Sequence, residues 1–145
     1  MEEIITNSAE ETEKLAIKLA TRFTHKPLII ALSGELGAGK TVFTQGFAKG
    51  LKIKEKITSP TFVLIRHHQI PNTVKIFYHI DLYRLEDKNQ INNLGLEDIS
   101  SNPNHIVLIE WAERASFLLP KNTIKIKIEK LNQTSRKISV KEFPS

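Results

Sequence analysis

The chain has 145 residues, 40% of them hydrophobic and 26% charged, which fits one soluble domain over 1–145 and excludes two ordinary domains. It has no cysteine, hence no disulfide or thiolate metal site, and no apolar run long enough to span a membrane. The formal charge of +5 points to anionic partners.

The start, Met1-Glu2-Glu3, is acidic and lacks the apolar core of a signal peptide, so a cytoplasmic protein, prokaryotic or organelle-derived in setting, is expected. Ser8-Ala9-Glu10-Glu11 is a capping box, with Glu11 three residues after the N-cap Ser8. Leu15, Ala16, Leu19, Ala20 and Phe23 form one apolar stripe behind it. The spacing predicts a helix over 9–24 that covers a sheet and closes at His25-Lys26-Pro27. Leu28-Ile29-Ile30-Ala31-Leu32 then reads as a buried strand.

Gly34-Glu35-Leu36-Gly37-Ala38-Gly39-Lys40-Thr41 follows and fits G-x-x-x-x-G-K-[ST]. Val42, Phe43, Phe47, Ala48 and Leu51 continue at helical spacing. Strand, glycine loop and helix is the context in which this motif works. Glycines let the backbone turn tightly and aim several N–H groups at phosphate oxygens. The positive end of the following helix adds to the attraction. Lys40 would reach the outer phosphates, and the Thr41 hydroxyl would ligate Mg²⁺. The stretch reads as a nucleotide-binding loop.

Lys49, Lys52, Lys54 and Lys56 cluster after that helix. Thr58-Ser59-Pro60-Thr61-Phe62 then crowds three hydroxyls about a proline. Such a loop is a common turn, and in nucleotide-driven switches it presents a threonine to Mg²⁺ or the outer phosphate. The stretches 62–66 and 74–81 read as two strands joined by the polar turn Ile70-Pro71-Asn72-Thr73, an antiparallel hairpin. His79, two residues before Asp81, reads as a packed strand histidine or a neighbour of the nucleotide. Residues 86–101 are polar and helical in parts, interrupted by Gly95 and ended by Asn102-Pro103-Asn104.

The next stretch, His105-Ile106-Val107-Leu108-Ile109-Glu110, runs four aliphatics into an acid. A P-loop NTPase needs a carboxylate at the end of a neighbouring buried strand, to hold Mg²⁺ or its water. Asp81 and Glu110 compete for that role. The run before Glu110 is continuously apolar, like a central parallel strand, whereas Tyr78 and His79 interrupt the run before Asp81. Glu110 is therefore assigned the metal, and Asp81 joins it as a second carboxylate. A short helical piece ends at Pro120. Ile124, Ile126 and Ile128 alternate with Lys125 and Lys127, and 137–143 alternates again, giving a C-terminal hairpin. Its lysine-rich face, with Lys121, Lys130, Arg136, Lys137 and Lys141 nearby, is either a solvated surface or a contact for RNA or an acidic protein.

Four segments now carry a resemblance. They are 34–41, Thr58-Ser59-Pro60-Thr61-Phe62, His79-Ile80-Asp81-Leu82-Tyr83-Arg84-Leu85 and Leu108-Ile109-Glu110-Trp111-Ala112-Glu113-Arg114. In this order they resemble the TsaE (YjeE) family, bacterial ATPases needed for threonylcarbamoyladenosine modification of tRNA, over essentially the whole chain. The resemblance implies an α/β, P-loop NTPase-like three-layer fold with a mixed β-sheet and a C-terminal β-hairpin. It implies ATP and Mg²⁺ as ligands, a TsaD-like threonylcarbamoyl transferase and a TsaB-like paralogue as partners, tRNA contact through that complex, and no membrane. Residue by residue, it implies that the loop Gly34, Glu35, Leu36, Gly37, Ala38, Gly39, with Lys40, Thr41 and Val42, binds nucleotide. Thr41 and Glu110 would serve Mg²⁺, while Thr61 and Asp81, with Lys40, act around the γ-phosphate and the attacking water. Trp111 would sit beside the nucleotide. Two departures stand out: Val42 replaces a threonine common in the family, and 66–72 is unlike its members.

Two other functions fit the same loop. A small P-loop phosphotransferase would need an acceptor pocket and an arginine-bearing lid, and no arginine-rich insertion is present. A nucleotide-dependent RNA-binding module would rest on the lysine-rich face.

Overall fold

The computed structural model describes residues 1–35, 37–57, 65–85 and 87–142. The expected site residues Leu36 and Thr61, and the start of the first hairpin strand, lie outside the described residues.

In chain order the elements are β1 (Glu2–Thr6), α1 (Ala9–Arg22), β2 (Leu28–Gly34), α2 (Lys40–Gly50), β3 (Ile65–Gln69), β4 (Ile76–Asp81), α3 (Lys88–Asn92), α4 (Leu96–Ser101) and β5 (His105–Glu110). A short 3₁₀ helix (Ala112–Leu118), β6 (Ile124–Lys130) and β7 (Arg136–Lys141) complete the chain. The strands form one seven-stranded sheet in the order β1-β7-β6-β2-β5-β4-β3. Its centre, β6-β2-β5-β4, is parallel, and both edges are antiparallel. The mixed sheet and the closing hairpin β6–β7 are thus as expected.

The alternation along each central strand makes three layers. Leu28, Ile30 and Leu32 of β2, with Phe77, Leu108, Ile124, Ile126 and Ile128, face α1 and α2 in one core. Ile29 and Ala31, with Ile80, Val107 and Ile109, face Ile91, Leu96, Ala112 and Ala115 in the other. The apolar runs of β2 and β5 are continuous because each strand is covered on both sides. Phe43 and Phe47 of α2 stack at 6.4 Å, and Phe47 meets Phe77 of β4 at 6.0 Å. These rings pin α2 across the parallel strands, each fully buried ring contributing about 1.5–3 kcal/mol.

The Ser8 cap of α1 forms, with the return bond from Glu11 shifted one residue upstream. Ser8 Oγ accepts from the Glu11 N–H at 3.1 Å, and Glu11 Oε1 reaches back to the Asn7 N–H at 3.1 Å. Helix α1 packs on α2 through small residues. A Cβ added at Gly46 would lie 2.5 Å from Glu13 O, and one at Gly50 would lie 2.6 Å from Ala20 Cβ.

Strand β1 has no local signature in the sequence. Glu2-Glu3-Ile4-Ile5-Thr6 has no period-2 alternation, so its pattern alone predicts nothing. It becomes a strand by pairing with β7 at the opposite end of the chain. The Glu3–Lys137 contact at 2.8 Å and the Thr6–Thr12 hydroxyl bond at 2.6 Å secure its two ends.

Candidate functional site

The glycine loop joins the carboxyl end of β2 to α2. Gly37 (φ 81°) and Gly39 (φ 102°) both occupy the left-handed region, where any other residue would be strained. Gly39 is the N-cap of α2 and offers no side chain to the first N–H groups of that helix. Helices α1 and α3 are capped by the side chains of Ser8 and Asp87. No side chain caps the start of α2, and its positive dipole end lies at the glycine loop, an arrangement by which folds bind anions.

A cavity of about 440 Å³ opens there, lined by Gly37, Gly39, Lys40, Thr41, Val42, Asp81, Tyr83, Glu110, Trp111 and Arg136. Lys40 is buried, its Nζ donating to Gly34 O at 2.8 Å and standing 4.3 Å from the centre of the Trp111 ring. Trp111 itself is left-handed (φ 58°, ψ 39°), a conformation that costs a bulky residue about 1–3 kcal/mol. The Tyr83 ring at 5.2 Å and the Arg114 guanidinium at 5.5 Å pack around it.

The two carboxylates come from adjacent parallel strands, with Asp81 of β4 in register with Glu110 of β5. Glu110 is in turn paired with Leu32 of β2, just before the loop. The strand-end logic used on the sequence brings both acids to one place. Their surroundings differ. Glu110 is buried, and its Oε2 is held by His79 Nε2 at 2.6 Å. Asp81 is half-buried and accepts from the Tyr83 N–H at 2.9 Å. Burial raises its pKa from the ordinary aspartate value and the Glu110 charge adds to this, against the opposing pull of the Tyr83 N–H, His79 and Lys40.

Two further cavities adjoin this one. One of about 270 Å³ shares Gly39, Val42 and Arg136 with it and is otherwise lined by Ser8, Ala9, Thr12, Gln133 and Thr134. The other, about 640 Å³, lies across Trp111 along β6 and carries both signs of charge, from Glu35, Glu113, Lys127, Glu129 and Lys130.

Known proteins point the same way as the geometry. The family model "Threonylcarbamoyl adenosine biosynthesis protein TsaE" matches residues 6–138. The chain belongs to the TsaE family. It is 37% identical over 134 residues to the tRNA threonylcarbamoyladenosine biosynthesis protein TsaE of Bacillus subtilis, covering 92% of this chain and 81% of that protein. The TsaE of Treponema pallidum is 34% identical over 136 residues, with 94% of this chain and 97% of that one covered. The crystal structure of Bacillus subtilis YdiB superposes with a TM-score of 0.76 at 31% identity, covering 99% of this chain and 86% of the other. The architecture is thus a P-loop fold as well as a TsaE-family sequence.

Three features of this TsaE-family site were not read from the sequence. Arg136 stands among the C-terminal lysines in the sequence, yet its Nε donates to Ala38 O at 2.9 Å. The signal was present: one arginine among lysines, where a planar fork serves and a point charge does not. The bond from His79 to Glu110 joins residues 31 apart, and only the strand register reveals it. The Tyr83 ring lies in a segment of the family resemblance, but its place beside Trp111 depends on the turn after β4.

Proposed function

We propose that the chain binds ATP with Mg²⁺ at the carboxyl ends of β2, β4 and β5 and hydrolyses it in the service of threonylcarbamoyladenosine modification of tRNA. The observation that carries this reading is the convergence of Lys40, Thr41, Asp81, Glu110 and Trp111 on one cavity, at a helix start that no side chain caps.

The phosphates would lie across the loop 34–39, held by its N–H groups and by Lys40, whose ammonium must leave Gly34 O to reach them. The adjoining cavity of about 270 Å³ has the size and mixed polarity for the nucleoside, with Val42 as an apolar wall. Thr41 and Glu110 suit Mg²⁺, a hard cation that takes a few protein oxygens and keeps several waters. When bound, the ion would neutralise charge on the phosphate oxygens. His79 keeps the Glu110 carboxylate turned to a fixed position through their 2.6 Å bond. Asp81, more exposed and less firmly held, would orient the attacking water, with Thr61 assigned to the γ-phosphate by family resemblance. The partners in this reading are a TsaD-like transferase and a TsaB-like paralogue, tRNA is met through their complex, and the setting is cytoplasmic.

Calorimetry and phosphate release test the reading directly. Lys40→Ala removes a charge-assisted bond to phosphate worth roughly 1.5–3 kcal/mol, so Mg-ATP affinity should fall about 10- to 150-fold and hydrolysis should be lost. Unchanged affinity and turnover would remove the proposed phosphate site.

A further inference from the structure

We propose that Arg136 is a positioning residue for the glycine loop, holding it in its phosphate-binding shape before any nucleotide arrives. The inference rests on the nucleotide reading above and extends it to a residue outside the sequence motifs.

Arg136 opens β7, immediately after the turn that closes the C-terminal hairpin. Its guanidinium faces main-chain carbonyls rather than a carboxylate. Nε donates to Ala38 O at 2.9 Å, and one terminal nitrogen lies 3.4 Å from Gly37 O. The other terminal nitrogen donates to Asn132 O at 2.8 Å and Ser135 O at 3.0 Å. Among the described residues no acid forms an ion pair with it. One planar group thus ties the hairpin turn to the loop. Ser135 Oγ extends the tie to Asn7 Oδ1 at the entrance to α1, at 3.0 Å.

A trans peptide is planar, with its C=O and N–H pointing in opposite directions. Fixing the Gly37 and Ala38 carbonyls on Arg136 therefore fixes the directions of the Ala38 and Gly39 N–H groups. The Ala38 N–H is spent inside the loop, on Glu35 O at 3.0 Å. The Gly39 N–H is aimed away from Arg136, and Gly39 lines the phosphate cavity. With two left-handed glycines, the loop has wide freedom unless something outside it removes that freedom. Restraint before binding is what makes an anion site tight. Lysine could supply the charge but not the fork that meets two successive carbonyls.

The test compares wild type, Arg136→Gln and Arg136→Lys by calorimetry with Mg-ATP and with tripolyphosphate, which has no nucleoside. Positioning predicts that Arg136→Gln weakens both ligands by a similar factor, about 10-fold, while the melting temperature of the nucleotide-free protein moves little. It also predicts that Arg136→Lys rescues neither. Wild-type protein that binds neither ligand would overturn the nucleotide reading itself. A variant that binds both like wild type would overturn the positioning role alone. Loss of ATP binding with tripolyphosphate unaffected would make Arg136 a wall of the nucleoside cavity, and full rescue by lysine would make it a charge; either result overturns the proposal. Should the variants fail to fold, the wild type still decides. Its Arg136 Nε proton, held on Ala38, should exchange slowly without nucleotide, and fast exchange would contradict the restraint.

Discussion

At the scale of single residues, Asp81 and Glu110 are neighbours in register with different surroundings. Glu110 is buried and held by His79, so Glu110→Gln should weaken the Mg²⁺ dependence of nucleotide binding more than Asp81→Asn does. Asp81→Asn should spare binding and reduce hydrolysis, and titrations at varied Mg²⁺ would show whether the two roles are reversed. Asp81 also gives a pH signature. Its folded pKa is raised, first by burial and then by the Glu110 charge, so the folded chain holds this proton more tightly than the unfolded one. The ionised carboxylate therefore costs stability above the raised pKa, and the cost fades as pH falls towards the ordinary carboxylate range. Asparagine can still accept from the Tyr83 N–H and carries no charge. Thermal melts of the nucleotide-free protein should find Asp81→Asn more stable than wild type at neutral pH and equal to it in acid. A variant that is less stable at neutral pH would contradict the burial argument.

At the scale of elements, the contact between α1 and α2 sets where the glycine loop is aimed, because α2 begins at Lys40. Gly46 and Gly50 let the two helices approach until Glu13 O and Ala20 Cβ fill the space that a side chain would need. Alanine at either position has the better helix propensity, yet it must push α1 away. Overpacking of this kind costs about 1–3 kcal/mol, and denaturant melts of Gly46→Ala and Gly50→Ala should show a loss in that range. A gain in stability would mean that propensity outweighs the contact. The same helices show what a sequence makes legible. The capping box of α1, its apolar stripe and the helix after the loop were readable because their signals are local. The role of Gly46 and Gly50 has no local signal, since the reason for them lies on another element. Strand β1 was unreadable for the same reason, its partner β7 standing at the far end of the chain.

For the whole molecule, the parallel centre of the sheet gathers residues far apart in sequence at its carboxyl edge. Lys40 and Thr41 were legible from the motif, and Asp81 and Glu110 from their places at the ends of apolar strands. For Arg136 the single arginine among lysines hints at a special contact, but only the folded hairpin shows that the contact is with the loop. That placement bears on catalysis. P-loop hydrolysis is slow until an arginine meets the charge of the transition state, and one supplied by a partner can be worth 10³–10⁵ in rate. Arg114 is tied to Leu85 O at 2.7 Å, and Arg136 is occupied by the loop and turn carbonyls. Neither extends over the phosphate cavity on a lid of its own. The proposed ATPase works within a tRNA-modifying assembly, and steady-state phosphate release with and without purified TsaB- and TsaD-like partners is the decisive measurement. Measured at fixed Mg²⁺ and salt, the isolated protein should turn over very slowly and the pair should raise the rate at least ~10-fold, with both the stimulation and tRNA modification lost in Lys40→Ala. Full activity alone, indifferent to the pair, would contradict that claim.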